Sequence, residues 1–198
     1  MTRNRLTVLK QLLEEKRGTV ITTVDGCMDH LMPLSALEES VISLEDGQEL
    51  SLEEFNDRLV CLGYERCGQV EQGGQFCVRG GILDIFPLTE ENPVRIELWG
   101  DEIDSIRFFD AESQRSIERV DHLRIYPARE LVLSPERIRE GSERLREEKE
   151  LQKKTLLSQG RLEEAHRLET VVEEMREELS EGCFLGALES CVRYFCPE

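Results

Sequence analysis

The sequence predicts an α+β fold: a mostly antiparallel sheet with one packed helix, between an N-terminal segment of mixed α/β character and a C-terminal charged helical segment. Three observations carry this. Side chains alternate with a period of two through Val94-Arg95-Ile96-Glu97-Leu98-Trp99 and its neighbours, which reads as a half-buried strand. One helix, Ser51 to Gly63, has clear start and stop signals. Beyond Pro127 the chain turns from alternating to charged and helix-periodic.

Taken in order, Leu6, Leu9 and Leu13 form a helical stripe, Thr19–Val24 is rich in β-branched residues, and Asp25-Gly26 is a turn before a helix from Cys27 to Leu34. A turn at Glu45-Asp46-Gly47 follows Val41–Leu44. Ser51 and Glu54 then make a capping box, Phe55, Leu59 and Leu62 share a face, and Gly63 supplies a left-handed stop. Strands are expected over 64–71, 75–86, 93–99, 102–109 and 121–126, with Gly100-Asp101 as a two-residue type II′ turn. Ser134-Pro135 opens a helix that runs past Lys154 to a break at Gly160. Ala165, Leu168, Val172, Met175 and Leu179 then recur at alternating threes and fours, a narrow seam that suits packing on a neighbouring helix or sheet better than a short coiled coil.

Strand 93–99 is the most informative segment. Its period puts Val94, Ile96 and Leu98 in the core and Arg95, Glu97 and Trp99 on the opposite face. That face offers an arginine, a carboxylate and the chain's single tryptophan side by side, the residue chemistry of a protein–protein hot spot.

Charge limits the partner. With 25 basic and 42 acidic residues the formal net charge is −17, so phosphate backbones repel the chain and direct nucleic-acid binding is not expected. The start shows no charged-then-apolar signal, and no apolar stretch approaches the roughly 20 residues that span a bilayer, which leads to an expectation of a soluble, cytoplasmic chain with no membrane partner. The seven cysteines form no CxxC pair and are odd in number, as reduced, mostly packing thiols would be.

Enzymatic readings find little support. No lysine follows a Gly-x-x-x-x-Gly loop, so no ATP-driven motor is expected, and neither is a small-molecule substrate or a cofactor. Asp84, Glu97, Asp101, Glu102 and Asp104 resemble a nuclease's Mg²⁺ ligands only superficially: tryptophan stands where the pattern needs lysine, and they read better as turn and surface carboxylates. His30, His122 and His166 are far apart and unpaired with cysteine at finger spacing, so no metal is expected. Cys61, Cys67 and Cys77 lie in apolar runs where thiols pack.

Two motifs at matching spacing carry a resemblance. Arg79–Pro87 and, after a short polar loop, Pro93–Ile103 resemble the interaction domain shared by the bacterial transcription-repair coupling factor and the excinuclease ABC protein UvrB. Gly80-Gly81 looks more like the coupling factor, because UvrB usually has an acidic residue in place of Gly81. GTVITTVDGCMDHLMP, LEEFNDRLVCLGYERCGQVE and EGCFLGALES extend the likeness from about Gly18 to about Phe195.

The resemblance implies a binding module, residues 47–130, that docks the excinuclease protein UvrA and recruits nucleotide excision repair to stalled RNA polymerase. Residues 1–46 and 131–198 would be remnants of a first domain, with Met1 inside it and the chain ending in an unfinished element. Arg79 and Arg95 match family arginines at the partner contact, with Glu97 beside them and Trp99 where relatives usually carry phenylalanine. Arg66 matches an arginine seen mainly in UvrB, and Cys77 stands where UvrB has another.

Overall fold

A computed structural model describes residues 2–15, 18–28, 31, 33–180 and 191–196. The chain divides into two compact units, one from residues 1–21 and 37–132, the other from residues 22–36 and 133–198. The fold is α+β.

In the first unit, α1 (Thr2–Glu15) turns Leu6 and Leu9 inward, as its stripe predicts. Thr19–Val24 is not a strand: the chain is irregular to Thr23, and α2 (Val24–Met28) of the second unit starts at Val24 and runs through Asp25-Gly26. The β-branched residues have no partner strand among the described residues, and Ile21 stays exposed. The helix expected from Cys27 to Leu34 starts early, at Val24, and is described as far as Met28; residues 29, 30 and 32 lie outside those described. A further helix, α3 (Leu34–Ser40), leads into β1 (Ile42–Glu45).

β1 pairs antiparallel with β8 (His122–Ile125), and a second, six-stranded sheet runs β2 (Glu65–Arg66), β3 (Gln75–Arg79), β4 (Ile82–Ile85), β5 (Val94–Trp99), β6 (Glu102–Phe109), β7 (Ser116–Val120). Among these pairings only β2–β3 is parallel. Three expectations change here. The strand expected over 75–86 is a hairpin: Arg79 pairs with Ile82 across Gly80-Gly81, and Gly80 sits at φ +60°, where a glycine meets no steric cost. The strand expected over 64–71 shrinks to two residues. β7 has no counterpart among the expected strands, because its side chains are mostly polar and exposed, the character of a sheet edge.

One face of the six-stranded sheet is core. Phe76, Leu83, Ile85, Val94, Ile96 and Ile106 pack with Phe55, Leu59 and Leu62 of α4 (Leu52–Cys61) and its C-cap, and with Ile42, Leu44, Leu123 and Ile125 of the small sheet. α4 begins where its cap predicts: the Ser51 hydroxyl accepts the Glu54 N–H. It is followed by Gly63 at φ +90°, with the Arg129 side chain packed against it. Cys61, expected to pack, is exposed on the outer side of α4. The turn at 46–50 is tied to the β5–β6 hairpin, since Gly47 and Leu50 N–H donate to the Ile103 and Asp101 carbonyls (2.8 and 2.6 Å). The buried Tyr64 hydroxyl donates to the Tyr126 carbonyl at 2.6 Å, and burial pushes its pKa up. Tyr126 in turn donates to Glu14 of α1 at 3.1 Å.

The described residues of the second unit are helical apart from loops. α5 (Pro135–Ser158) starts at the Ser134 cap, and Gly160, at φ +74°, turns the chain into α6 (Leu162–Ser180). The 3/4 seam serves packing within the chain: Ala165, Val172 and Leu179 are buried, and Lys153 of α5 reaches Glu169 of α6 at 2.6 Å. α7 (Val192–Phe195) closes on α5, where Arg144 donates to the Tyr194 carbonyl and Phe195 rests on Gly141. The rest of the apolar stretch from Gly182, including Cys183, lies outside the described residues apart from 191–196. Among the described residues no helix is long and apolar enough to cross a membrane.

Candidate protein-docking face

The face of the six-stranded sheet opposite the core is built by register. Residues paired across an antiparallel ladder point to the same side. Cys77 faces Asp84, Asp84 faces Arg95, Arg95 faces Arg107 and Arg107 faces Arg119, so one row across five strands carries a carboxylate and three guanidiniums.

Asp84 is the centre of this row and is 1% exposed. That corrects the reading of it as a surface carboxylate. Arg95 grips it with two bonds, Nε to Oδ1 at 2.7 Å and Nη2 to Oδ2 at 2.9 Å, and Arg79 adds a third, Nη2 to Oδ2 at 2.8 Å. Arg95 also donates to Gln114 Oε1 at 3.0 Å and lies over the buried Phe109 ring, 4.5 Å from its centroid. Its hydrogen bonds to Asp84 push the guanidinium pKa further up. Two arginines on one carboxylate leave one positive charge in excess, and Arg79, half exposed, is the more accessible of the two.

Glu97 sits in a second cluster on the same face. The buried Ser105 hydroxyl donates to Glu97 Oε2 at 3.0 Å and accepts from Arg107 at 2.8 Å, and Arg107 also reaches Glu97 at 2.9 Å. Trp99 is 85% exposed. The reason is topological: the β4–β5 ladder ends at Ile82 opposite Glu97, so no β4 residue is paired with Trp99, whose partner across the ladder is Glu102 of β6.

The structure thus gathers Arg79 and Arg95 on Asp84, sets Glu97 next to them with Arg107, and leaves Trp99 projecting from the hairpin end. Arg66 is not brought into the cluster; it is exposed on edge strand β2, paired with the core-facing Phe76. Asp84, Ser105, Arg107, Phe109 and Gln114 are parts of this face that sequence reasoning does not group with it. The hairpin turn alone would put Ile106 opposite Arg95. A bulge between Glu97 and Leu98 shifts the ladder by one residue and brings Arg107 there.

Residues 42–131, which hold this whole sheet, match the family model of the UvrB interaction domain. The transcription-repair-coupling factor of Bacillus subtilis strain 168 is 42% identical over 132 residues, 67% of this chain and 11% of that protein. That of Escherichia coli K12 is 38% identical over 127 residues, 64% of this chain and 11% of that protein. UvrABC system protein B of Fervidobacterium nodosum is 37% identical over 166 residues, 84% of this chain and 25% of that protein. The chain therefore spans about a tenth of the length of the coupling factors it matches and a quarter of that of the UvrABC protein. Residues 42–131 are thus similar to the UvrB interaction domain, in a chain similar over about two thirds of its length to the transcription-repair-coupling factors.

Proposed function

We propose that the chain is a protein-binding module, not an enzyme, and that it docks the excinuclease protein UvrA on the Arg79–Arg95–Glu97–Trp99 face, with Arg66 at the periphery. In this reading residues 47–130 are the docking module, and 1–46 and 131–198 belong to a first domain on either side of it. The module acts in the cytoplasm as part of a coupling factor, recruiting nucleotide excision repair to stalled RNA polymerase.

The observation that carries the reading is Trp99. A fully displayed indole beside a fixed ion-pair network has no packing role in the chain, and it has the make-up of an interface anchor: a large apolar body with an N–H, mounted next to charges that are already ordered. Arg95 and Glu97 are held before any partner arrives, so little side-chain entropy is lost on binding. Calorimetry with purified UvrA tests this directly. Saturable binding that is lost in Trp99→Ala supports it, and no binding at micromolar concentrations overturns it.

A second reading, a segment of a UvrB protein that docks the same partner during damage loading, is favoured by the greater share of this chain, 84%, that the Fervidobacterium protein matches. Deleting the gene separates the two. Loss of the faster repair of transcribed strands alone fits the coupling factor, and loss of all excision repair fits UvrB.

A further inference from the structure

The parallel β2–β3 pair brings two of the chain's thiols side by side. Glu65 pairs with Gln75 and Arg66 with Phe76, and the Cys67 N–H donates to the Phe76 carbonyl at 2.9 Å, which carries the register one residue further and sets Cys67 against Cys77. The thiols reach across to each other's strands: Cys67 Sγ donates to the Phe76 carbonyl at 3.3 Å, and Cys77 Sγ to the Gly68 carbonyl at 3.1 Å. Neighbouring strands lie about 4.8 Å apart, within the roughly 4.4 to 6.8 Å between Cα atoms that a disulfide spans. Both cysteines are free, Cys67 partly exposed and Cys77 buried.

We propose that Cys67 and Cys77 form a reversible disulfide site, oxidised by small-molecule disulfides such as oxidised glutathione. The Cys67 thiolate, as the accessible one, attacks one sulfur of the small disulfide; that S–S bond breaks and the first small thiol leaves. The Cys77 thiolate then attacks the Cys67 sulfur of the mixed disulfide and displaces the second small thiol. Two thiol protons and two electrons pass in total to the two small thiols, and one S–S bond replaces another. Burial and the neighbouring Cys77 push the Cys67 thiol pKa up, so the exchange is slow while its end point is set by the geometry.

The bridge fastens the edge strand that carries Arg66 to the strand whose Cys77 stands opposite Asp84. It also removes both S–H donors from the Phe76 and Gly68 carbonyls; that of Phe76 keeps the Cys67 N–H.

Trypsin makes the site readable, because cleavage after Arg66 and Arg79 leaves both cysteines in the single peptide Cys67–Arg79. The intact chain is brought to equilibrium in a glutathione redox buffer, quenched with N-ethylmaleimide, digested and weighed, once in native buffer and once in urea. The expected native peptide is two hydrogens lighter, blocked to maleimide until reduced, and formed with an equilibrium constant at least about tenfold larger than in urea. Two maleimide adducts, a bridge from either residue to a different cysteine, or a constant no larger than the unfolded one would overturn the assignment.

Discussion

Arg95 holds both carboxylate oxygens of Asp84, at 2.7 and 2.9 Å, on the side of the sheet that faces away from the core. This changes what a mutation at Arg95 measures. Asp84 is buried, and removing its principal counter-ion leaves it with Arg79 alone. Arg95→Ala should therefore lower stability by about 3 kcal/mol in urea denaturation, because a buried charge held by one half-exposed partner is poorly compensated. Arg79→Ala should cost less than about 1 kcal/mol, since that side chain is half exposed and Asp84 keeps its two-bond partner. Equal losses at the two positions would mean that Arg95 is not the main support of Asp84.

Gly80 closes the β3–β4 hairpin at φ +60° with open space around it, so an added methyl meets backbone strain and nothing else. Gly80→Ala should cost about 1 to 2 kcal/mol and leave the spectrum of the folded state unchanged. A neutral substitution would indicate that the turn does not hold this conformation.

The sheet is legible in the sequence where side chains alternate, and illegible where geometry depends on a single residue. Val94, Ile96, Arg95, Glu97 and Trp99 lie on the faces that the period of two assigns, because a strand buried on one side cannot slip by one residue without exposing its core set. The division of 75–86 escapes a periodicity reading because Val78, Ile82, Leu83 and Ile85 look like one apolar run, although Gly80-Gly81 is itself a hairpin signal. Arg107 escapes it because a bulge leaves no mark in periodicity. The burial of Asp84 depends on two arginines from different strands closing over it, and Thr19–Val24 has β propensity without a strand to pair with among the described residues.

Alkaline pH gives an independent test of the first unit. Burial, followed by the hydrogen bond to Glu14, pushes the Tyr126 pKa up from 10.0 to about 12, and burial raises Tyr64 further. A raised pKa in the folded state means that the stabilisation is complete below about pH 10 and is lost as pH rises through about 12. Tyrosinate absorbance of these two residues should then appear together with loss of circular dichroism. Reversible ionisation of both near pH 10 in a chain that stays folded would contradict their placement.

The proposed docking rests on a division of labour within one strand: Trp99 is displayed for a partner while Ile96 builds the core. A calorimetric titration of UvrA with the wild-type chain, Trp99→Ala and Ile96→Ala, each also unfolded in urea, reads both roles at once. Trp99→Ala should fold with nearly unchanged stability and lose about 2 kcal/mol or more of binding, roughly thirtyfold in Kd. Ile96→Ala, which empties a fully buried site, should lose about 2 to 5 kcal/mol of stability. A Trp99→Ala variant that binds UvrA as tightly as the wild-type chain would contradict the docking role of this face.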